Sequence, residues 1–459
     1  MTNRLKLRTM KTKITLLAVS LFLGFNVTFA QNEECATNLS IMSEYAKAKN
    51  YDAAYDTFMT LRKDCPKYSR AIYTYGEKIL NHKIKKSSGA EKTAFINDLV
   101  KMWDQRAEHY ASKTPKGEFA AKSCQLMYDN KKELGKTDAE LYDCFDAAYN
   151  ADKATFTNPK SLYTYFSLMV DLYDAKQKSA QQLFDKYDDV VEKVEDEVKN
   201  YSNKLNVLIS KEDAGTALTK KEARYKKSYE SYLNAYDKIS GSIDSKLGER
   251  ANCETLIPLY NKDFEENKSN AVWLQRAAGR MSAKDCTSDP MFFKLVNAYH
   301  NLSPSANSAY YLGILKDKEG KSSEAVTFYE QAISLETDSF KKAKLYKTIA
   351  VKYRKSGSYG KARNYYQECL KLNPSDKSPN EAIARMYASS ANSCGDSNFN
   401  KRAVFWLAAQ EARKAGNSSL AANYMAKAPS KNDIFNKGNQ GATIKIGCWI
   451  GRSVTVPSL

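Results

Sequence analysis

The stretch YYLGILKDKEGKSSEAVTFYEQAISLET, residues 310–337, decides the fold. Counted from Leu312, small or apolar residues fall at offsets 1, 8, 13, 17 and 20: Gly313, Gly320, Ala325, Tyr329 and Ala332. The same offsets from Ile349 give Ala350, Gly357, Ala362, Tyr366 and Cys369, and from Ile41 they give Met42, Lys49, Ala54, Phe58 and Leu61. The apolar spacing around them is helical. A pair of antiparallel helices explains the fixed offsets. The residue at offset 8 makes the turn, where glycine accepts a positive φ. Small side chains at offsets 1, 13 and 20 let two backbones approach, and the aromatic at offset 17 fills the space beside them. Pro304, Pro374 and Pro66 stop second helices.

A period near 34 residues with this pattern resembles the tetratricopeptide repeat. Residues 310–337 match it well and IAVKYRKSGSYGKARNYYQECLKLNP (349–374) nearly as well; IMSEYAKAKNYDAAYDTFMTLRKDCP (41–66) is weaker, with Lys49 in the glycine position. Degenerate units flank these. Residues 377–416 offer EAIARMYASSA as a first helix and KRAVFWLAAQEARKAG as a second, and residues 270–303 place Trp273 at the early aromatic position and Asp289-Pro290 at a helix start. Residues 69–150 read as further helix pairs. The resemblance implies an all-α solenoid in which each unit buries its apolar face on the next and leaves an extended concave surface. The expected organisation is a signal peptide (1–30), N-terminal repeats (31–150), a long helical hairpin (151–250), a C-terminal repeat array (251–417) and a tail (418–459).

The first residues indicate export. Arg4, Lys6, Arg8, Lys11 and Lys13 precede the apolar run ITLLAVSLFLGFNVTFA, which ends in Thr28-Phe29-Ala30 before polar QNEE, the layout of a signal cleaved after Ala30. About 16 apolar-leaning residues are short for a membrane span of roughly 20. Met10 is an alternative start, and the polar residues before Cys35 do not suit a lipoprotein. A periplasmic or secreted protein is expected, with no transmembrane segment once the signal is removed. Without residues 1–30 the chain keeps 66 basic against 53 acidic residues, a balance that favours acidic partners. Nucleic acid is not expected outside the cytoplasm. The lysines are spread through every helix, and mean hydropathy is −0.60.

The middle departs from the repeat pattern. Phe184, Tyr187, Val191, Val194, Val198, Tyr201, Leu205 and Leu208 alternate by three and four, a coiled-coil seam. Tyr225, Tyr229, Tyr232, Tyr236 and Ile239 follow the same rhythm, so SKEDAGTALTK joins two helices of an antiparallel hairpin, either a free arm or packed along its neighbours. Nine cysteines in an exported chain predict bridges. Cys35 with Cys65, Cys124 with Cys144, and Cys253 with Cys286 each flank a helical hairpin; Cys394 can reach Cys448, and Cys369 remains as a buried thiol. No CxxC occurs to support zinc as the rival. GATIKIGCWIGRSVTVPSL alternates β-formers about Gly451-Arg452, a β-hairpin that either caps the last repeat or offers a strand to a partner.

Nothing indicates catalysis or a cofactor. His82, His109 and His300 are scattered, and GKT at 135–137 has Asn130 where a phosphate loop requires glycine. Asp188-Asp189 and Glu195 to Glu197 read as solvated surface. What the resemblance implies is binding. Carried onto this chain, the family's ligand-facing positions are Asn307, Tyr310, Ile314 and Asp317; Lys344, Lys347, Val351 and Arg354; then Ser378, Glu381 and Arg385. Their basic residues suit an extended peptide bearing carboxylates. Ile314 and Thr348 stand where the carboxylate-clamp members carry asparagine, so capture of a free C-terminus is not implied. The resemblance to repeat proteins of Gram-negative envelopes implies a scaffold or adaptor for a protein partner in envelope assembly or secretion. A binder of cell-wall or surface polysaccharide, stacking sugars on the 31 tyrosines, is the alternative.

Overall fold

The computed structural model describes residues 32–459. The expected signal peptide (1–30) lies outside the described residues. Among the described residues the chain is all-α apart from one two-stranded sheet, and it falls into two compact units that divide at Val190 and Val191.

The first unit opens with α1 (32–47), α2 (Tyr51–Asp64), α3 (Ala71–Lys86) and α4 (Gly89–His109). It continues with α5 (Lys116–Asp129), the single turn α6 (Lys131–Leu134), α7 (Asp138–Ala151) and α8 (Pro159–Asp174). Polar caps set the helix starts: Asn50 and Asn158 accept from backbone amides, and Thr137 forms a reciprocal capping box with Glu140. Met42, Ala54, Phe58 and Leu61 form one buried core with Ile72, Ile79, Leu99 and Met102. Backbones approach closely there: a Cβ on Gly76 would lie 2.3 Å from the Phe58 ring. Farther on, Tyr149, Phe156 and Tyr165 form an aromatic cluster. The first turns of the long α9 (Ala180–Asp213) join it, with Tyr149 Oη donating to the Asp189 carbonyl at 2.9 Å.

The second unit holds the rest of α9 and α10 (Lys220–Leu247), followed by α11 (Cys253–Asn267), α12 (Ala271–Ala283), α13 (Pro290–Leu302), α14 (Ala306–Lys318), α15 (Ser322–Leu335), α16 (Ser339–Lys355) and α17 (Tyr359–Leu372). It ends with α18 (Ser378–Ser389), α19 (Ala391–Cys394), α20 (Asn398–Lys414), α21 (Ser418–Lys427), α22 (Lys431–Lys437), β1 (Thr443–Ile446) and β2 (Arg452–Thr455). In α14–α15 and α16–α17 the small residues at offsets 1, 13 and 20 are buried. A Cβ on Gly313 would lie 2.4 Å from Tyr329 Cε1, the aromatic at offset 17. Gly320 (φ +75°) and Gly357 (φ +76°) make the turns, and Lys49 adopts φ +60° at the same offset in the first unit.

The structure adds a repeat that the sequence reading placed differently. Gly416 turns at φ +74° between α20 and α21, so counting back puts Ala408 at zero, with Ala409, Ala421 and Ala428 buried at offsets 1, 13 and 20. Helix α20 therefore serves as second helix to α18 and first helix to α21, and the tail begins later than residue 418. The reason is composition: the apolar surface of α20 is wide enough for two neighbours, with Val404, Trp406, Leu407 and Ala408 all buried.

Helices α9 and α10 pair antiparallel. Tyr201 stacks on Tyr232 at 4.6 Å, and the ion pairs Lys211–Glu222 (2.7 Å) and Lys226–Glu212 (2.6 Å) close the end near the turn. The hairpin is packed, not free: beyond the seam, Lys193, Glu197 and Ser202 are also buried. Strands β1 and β2 pair antiparallel in the register Thr443↔Thr455 to Ile446↔Arg452. Ile446, Ile450, Val454 and Val456 share a core with α18 and α20, Trp449 Nε1 donates to Ser390 Oγ at 2.9 Å, and the hairpin caps the array. Disulfides join Cys35–Cys65, Cys124–Cys144, Cys253–Cys286 and Cys394–Cys448, with Cα separations of 6.0, 5.8, 5.5 and 5.2 Å. Cys369 is free and buried.

A left-handed lysine carries a steric penalty that glycine lacks. Lys49→Gly is expected to stabilise the chain by about 1 kcal/mol in urea unfolding, and Gly357→Ala to destabilise it by about the same; equal midpoints for both variants would contradict the turn assignment.

Candidate protein-binding face

The eleven residues expected to face a ligand sit on α14, α16 and α18, the first helices of successive pairs, and most already have partners. Asn307 is exposed and Ile314 is buried. Tyr310 is half-buried against Tyr311 and Tyr329, and burial with Asp317 nearby pushes its hydroxyl pKa up. Asp317 accepts from Tyr329 Oη at 2.6 Å and pairs with Lys352 at 2.6 Å, so it ties its own helix pair to α16. Lys347 pairs with Asp376 at 2.8 Å. Ser378 donates to the same Asp376 carboxylate through its amide and its hydroxyl. Arg385 pairs with Glu381 at 2.7 Å, and that contact, with Asn417 donating, holds the Glu381 carboxyl below the usual range. Val351 and Arg354 are half-buried, and among the described residues Arg354 has no carboxylate partner.

Lys344 is held by Glu195 of α9. That contact belongs to a stripe. Glu192 takes Arg276 of α12 at 2.9 Å, Lys199 binds Asp338 at the start of α16, and Asn206 meets Asn373 at 3.2 Å and receives the Ser375 amide at 3.1 Å. Residues 192, 195, 199 and 206 recur at three, four and seven, on a helix face distinct from the one that meets α10. Glu195 is exposed as expected yet bridges to the array, whereas Glu197 is not solvated surface: it is buried with Lys193 at 2.7 Å. The seam hid this stripe, because a heptad pattern describes one helix face and is silent about the other.

Between hairpin and array lies a cavity of about 770 Å³. Val194, Val198, Leu233, Phe340 and Ala343 supply its apolar wall, and Lys344, Lys347, Asp237 and Asp376 its charge. Cys369 lines it too; burial pushes the thiol up to about 12, and Asp376 adds to the effect.

Helix pairs stacked side by side, with charged residues along their first helices, define an α-helical repeat protein. Residues 343–376, covering most of α16, all of α17 and the following turn, match the family model of the tetratricopeptide repeat, so this part of the chain is a tetratricopeptide repeat. No curated protein matches the sequence. Among solved structures, a tetratricopeptide repeat protein from Parabacteroides merdae is 9% identical over 68% of this chain and 97% of its own, with a TM-score of 0.24. Human IFIT1, as a dimer with PPP-AAAA, is 11% identical over 86% and 94%, TM-score 0.27, and the APC/C hetero-tetramer Cut9-Hcn1 is 11% identical over 87% and 86%, TM-score 0.28.

A thiol held protonated is a poor nucleophile. At about pH 8, a thiol reagent is expected to label no cysteine in the native protein and only Cys369 after denaturation; fast native labelling would contradict its placement.

Proposed function

We propose that the chain is an exported, non-enzymatic scaffold that holds a protein or peptide partner on the first-helix faces of its repeats, in envelope assembly or secretion. One observation carries this reading: the C-terminal array already receives an acidic helix, with Glu192 on Arg276 and Glu195 on Lys344. Its cations thus recognise carboxylates displayed on a helix, the chemistry a peptide partner would use. Export is supported by the signal-like first residues and by four disulfides, which persist in oxidising compartments. Among the described residues no helix is long and apolar enough to cross a membrane. Of the expected positions, Asn307, Tyr310, Arg354 and Ser378 are those through which a partner would add contacts, while Asp317, Lys344, Lys347, Glu381 and Arg385 set their frame.

The polysaccharide alternative is weakened by tyrosine placement. Tyr329 and Tyr366 at offset 17 are buried, and Tyr201, Tyr229 and Tyr236 pack within the helical hairpin. Few rings are left as open stacking platforms.

Crosslinking pull-down from envelope extract tests the scaffold. Wild type is expected to capture a defined protein, and Arg354→Glu to lose it at an unchanged melting temperature. Lys347→Glu is expected to lower that temperature as well, because it faces Asp376. Capture of no protein by wild type, or equal capture by Arg354→Glu, would overturn the reading.

A further inference from the structure

The N-terminal unit holds a second charged groove, of about 700 Å³, which the repeat pattern did not mark. Helix α3 supplies Arg70, Lys78 and Lys85 from one side, α4 adds Arg106 and α5 adds Lys122. Glu77 is the only carboxylate among its lining residues, and it is engaged: Trp103 Nε1 donates to it at 3.1 Å and Lys122 lies 3.9 Å away. Lys122 also pairs with Glu118 at 3.2 Å.

The remaining cations are poorly explained by the fold. Arg70, Lys78 and Lys85 are exposed, and among the described residues none has a carboxylate partner. Arg70 occupies the N-cap of α3, where the helix dipole disfavours a cation, and its side chain makes no capping bond. Arg106 is turned inward, its Nε donating to Thr114 and its guanidinium over the Phe119 ring at 4.6 Å. Burial lowers the Arg106 pKa, with Arg70 adding to the effect and Glu77 and Glu118 opposing it. Cations arranged in this way favour an anion that spans them.

We propose that this groove binds an acidic polypeptide segment of the partner, with its carboxylates on Arg70, Lys78 and Lys85 and one reaching Arg106. The inference deepens the scaffold reading and rests on it. The occupant is chosen by what the chain itself displays: in the second unit, Arg276 and Lys344 on first helices are met by glutamates of a helix. In the first unit Arg70, Lys78 and Lys85 have no such carboxylate partner among the described residues, and a partner's acidic segment would supply it.

The test uses the chain from residue 31 and a fluorescein-labelled peptide of alternating Glu and Ala, followed by fluorescence anisotropy. Binding is expected at low salt and to weaken as salt screens the charges. Reversal at three positions, Arg70→Glu with Lys78→Glu and Lys85→Glu, is expected to weaken it by about tenfold or more. The neutral set Arg70→Gln, Lys78→Gln and Lys85→Gln guards against a folding defect and is expected to weaken it less. Reversing Lys63, Lys132 and Lys153, exposed residues outside the groove, is expected to leave binding unchanged. Equal loss in the groove and control sets would overturn the proposal. So would binding of heparin or anionic vesicles without the peptide. In the pull-down, normal capture by the groove variant would defeat this inference and leave the scaffold standing, whereas no capture by wild type would defeat the scaffold.

Discussion

The constraint on which the rest depends is the approach of two helix backbones to a distance at which a side chain has no room. Gly313 lies under Tyr329 and Gly76 under Phe58, each so close that an added methyl would enter the ring. That proximity requires a small residue on one helix and a flat, large one on the other, and burying such a ring contributes about 1.5–3 kcal/mol. Once helices pair in this way, each pair still exposes an apolar flank, which the next pair must cover. The array follows, with its charged first-helix faces left over.

Those faces are not inert. In the second unit the apolar side of α9 is satisfied by α10, through Tyr201, Leu205 and Leu208, so its polar side is available to lie on the repeats. The ion pairs along it are partly exposed, and such pairs contribute about 0–1 kcal/mol each. They set register more than they hold the hairpin down. At these positions carboxylates of α9 already meet cations of the array, beside the cavity whose apolar wall Val194, Val198, Phe340 and Ala343 form.

The repeat pairs were legible because their offsets are physically constrained: Gly320 and Gly357 take a positive φ that favours glycine, and Ala325 and Ala362 are fully buried where a larger side chain would have to displace its neighbours. The pair α20–α21 escaped because Met425 stands at offset 17 and is exposed, while Tyr424, one position earlier, fills the gap. The division at Val190 was illegible for a different reason, since helical periodicity runs through it without a break. The partners of the charged site residues were illegible too. With 71 basic and 53 acidic residues, spacing shows that Lys344 faces outward from its core but cannot select Glu195 among the candidates. Asp376, which takes both Lys347 and Ser378, lies in a turn that no periodicity describes.

The distribution of disulfides follows the same physics. Pairs α14–α15 and α16–α17, which keep the steric pattern, carry no bridge, and Cys369 there is simply the small buried residue at offset 20. Bridges fall where the pattern weakens: Cys35–Cys65 on the pair whose turn is Lys49, Cys124–Cys144 across α5 and α7, Cys253–Cys286 beside the turn at Asp285, and Cys394–Cys448 between α19 and the tail. Closing loops of 20 to 54 residues stabilises each by about 3–4 kcal/mol in the chain-entropy picture. That is comparable to what one well-packed aromatic and its glycine partner supply. Pair α3–α4, unbridged, instead keeps a close approach of its own, where a Cβ on Gly76 would lie 2.8 Å from the Met102 sulfur. Cross-links thus reinforce several pairs whose steric pattern is weak, while α20–α21, weak at offset 17 and unbridged, is held by the buried Ala409, Ala421 and Tyr424.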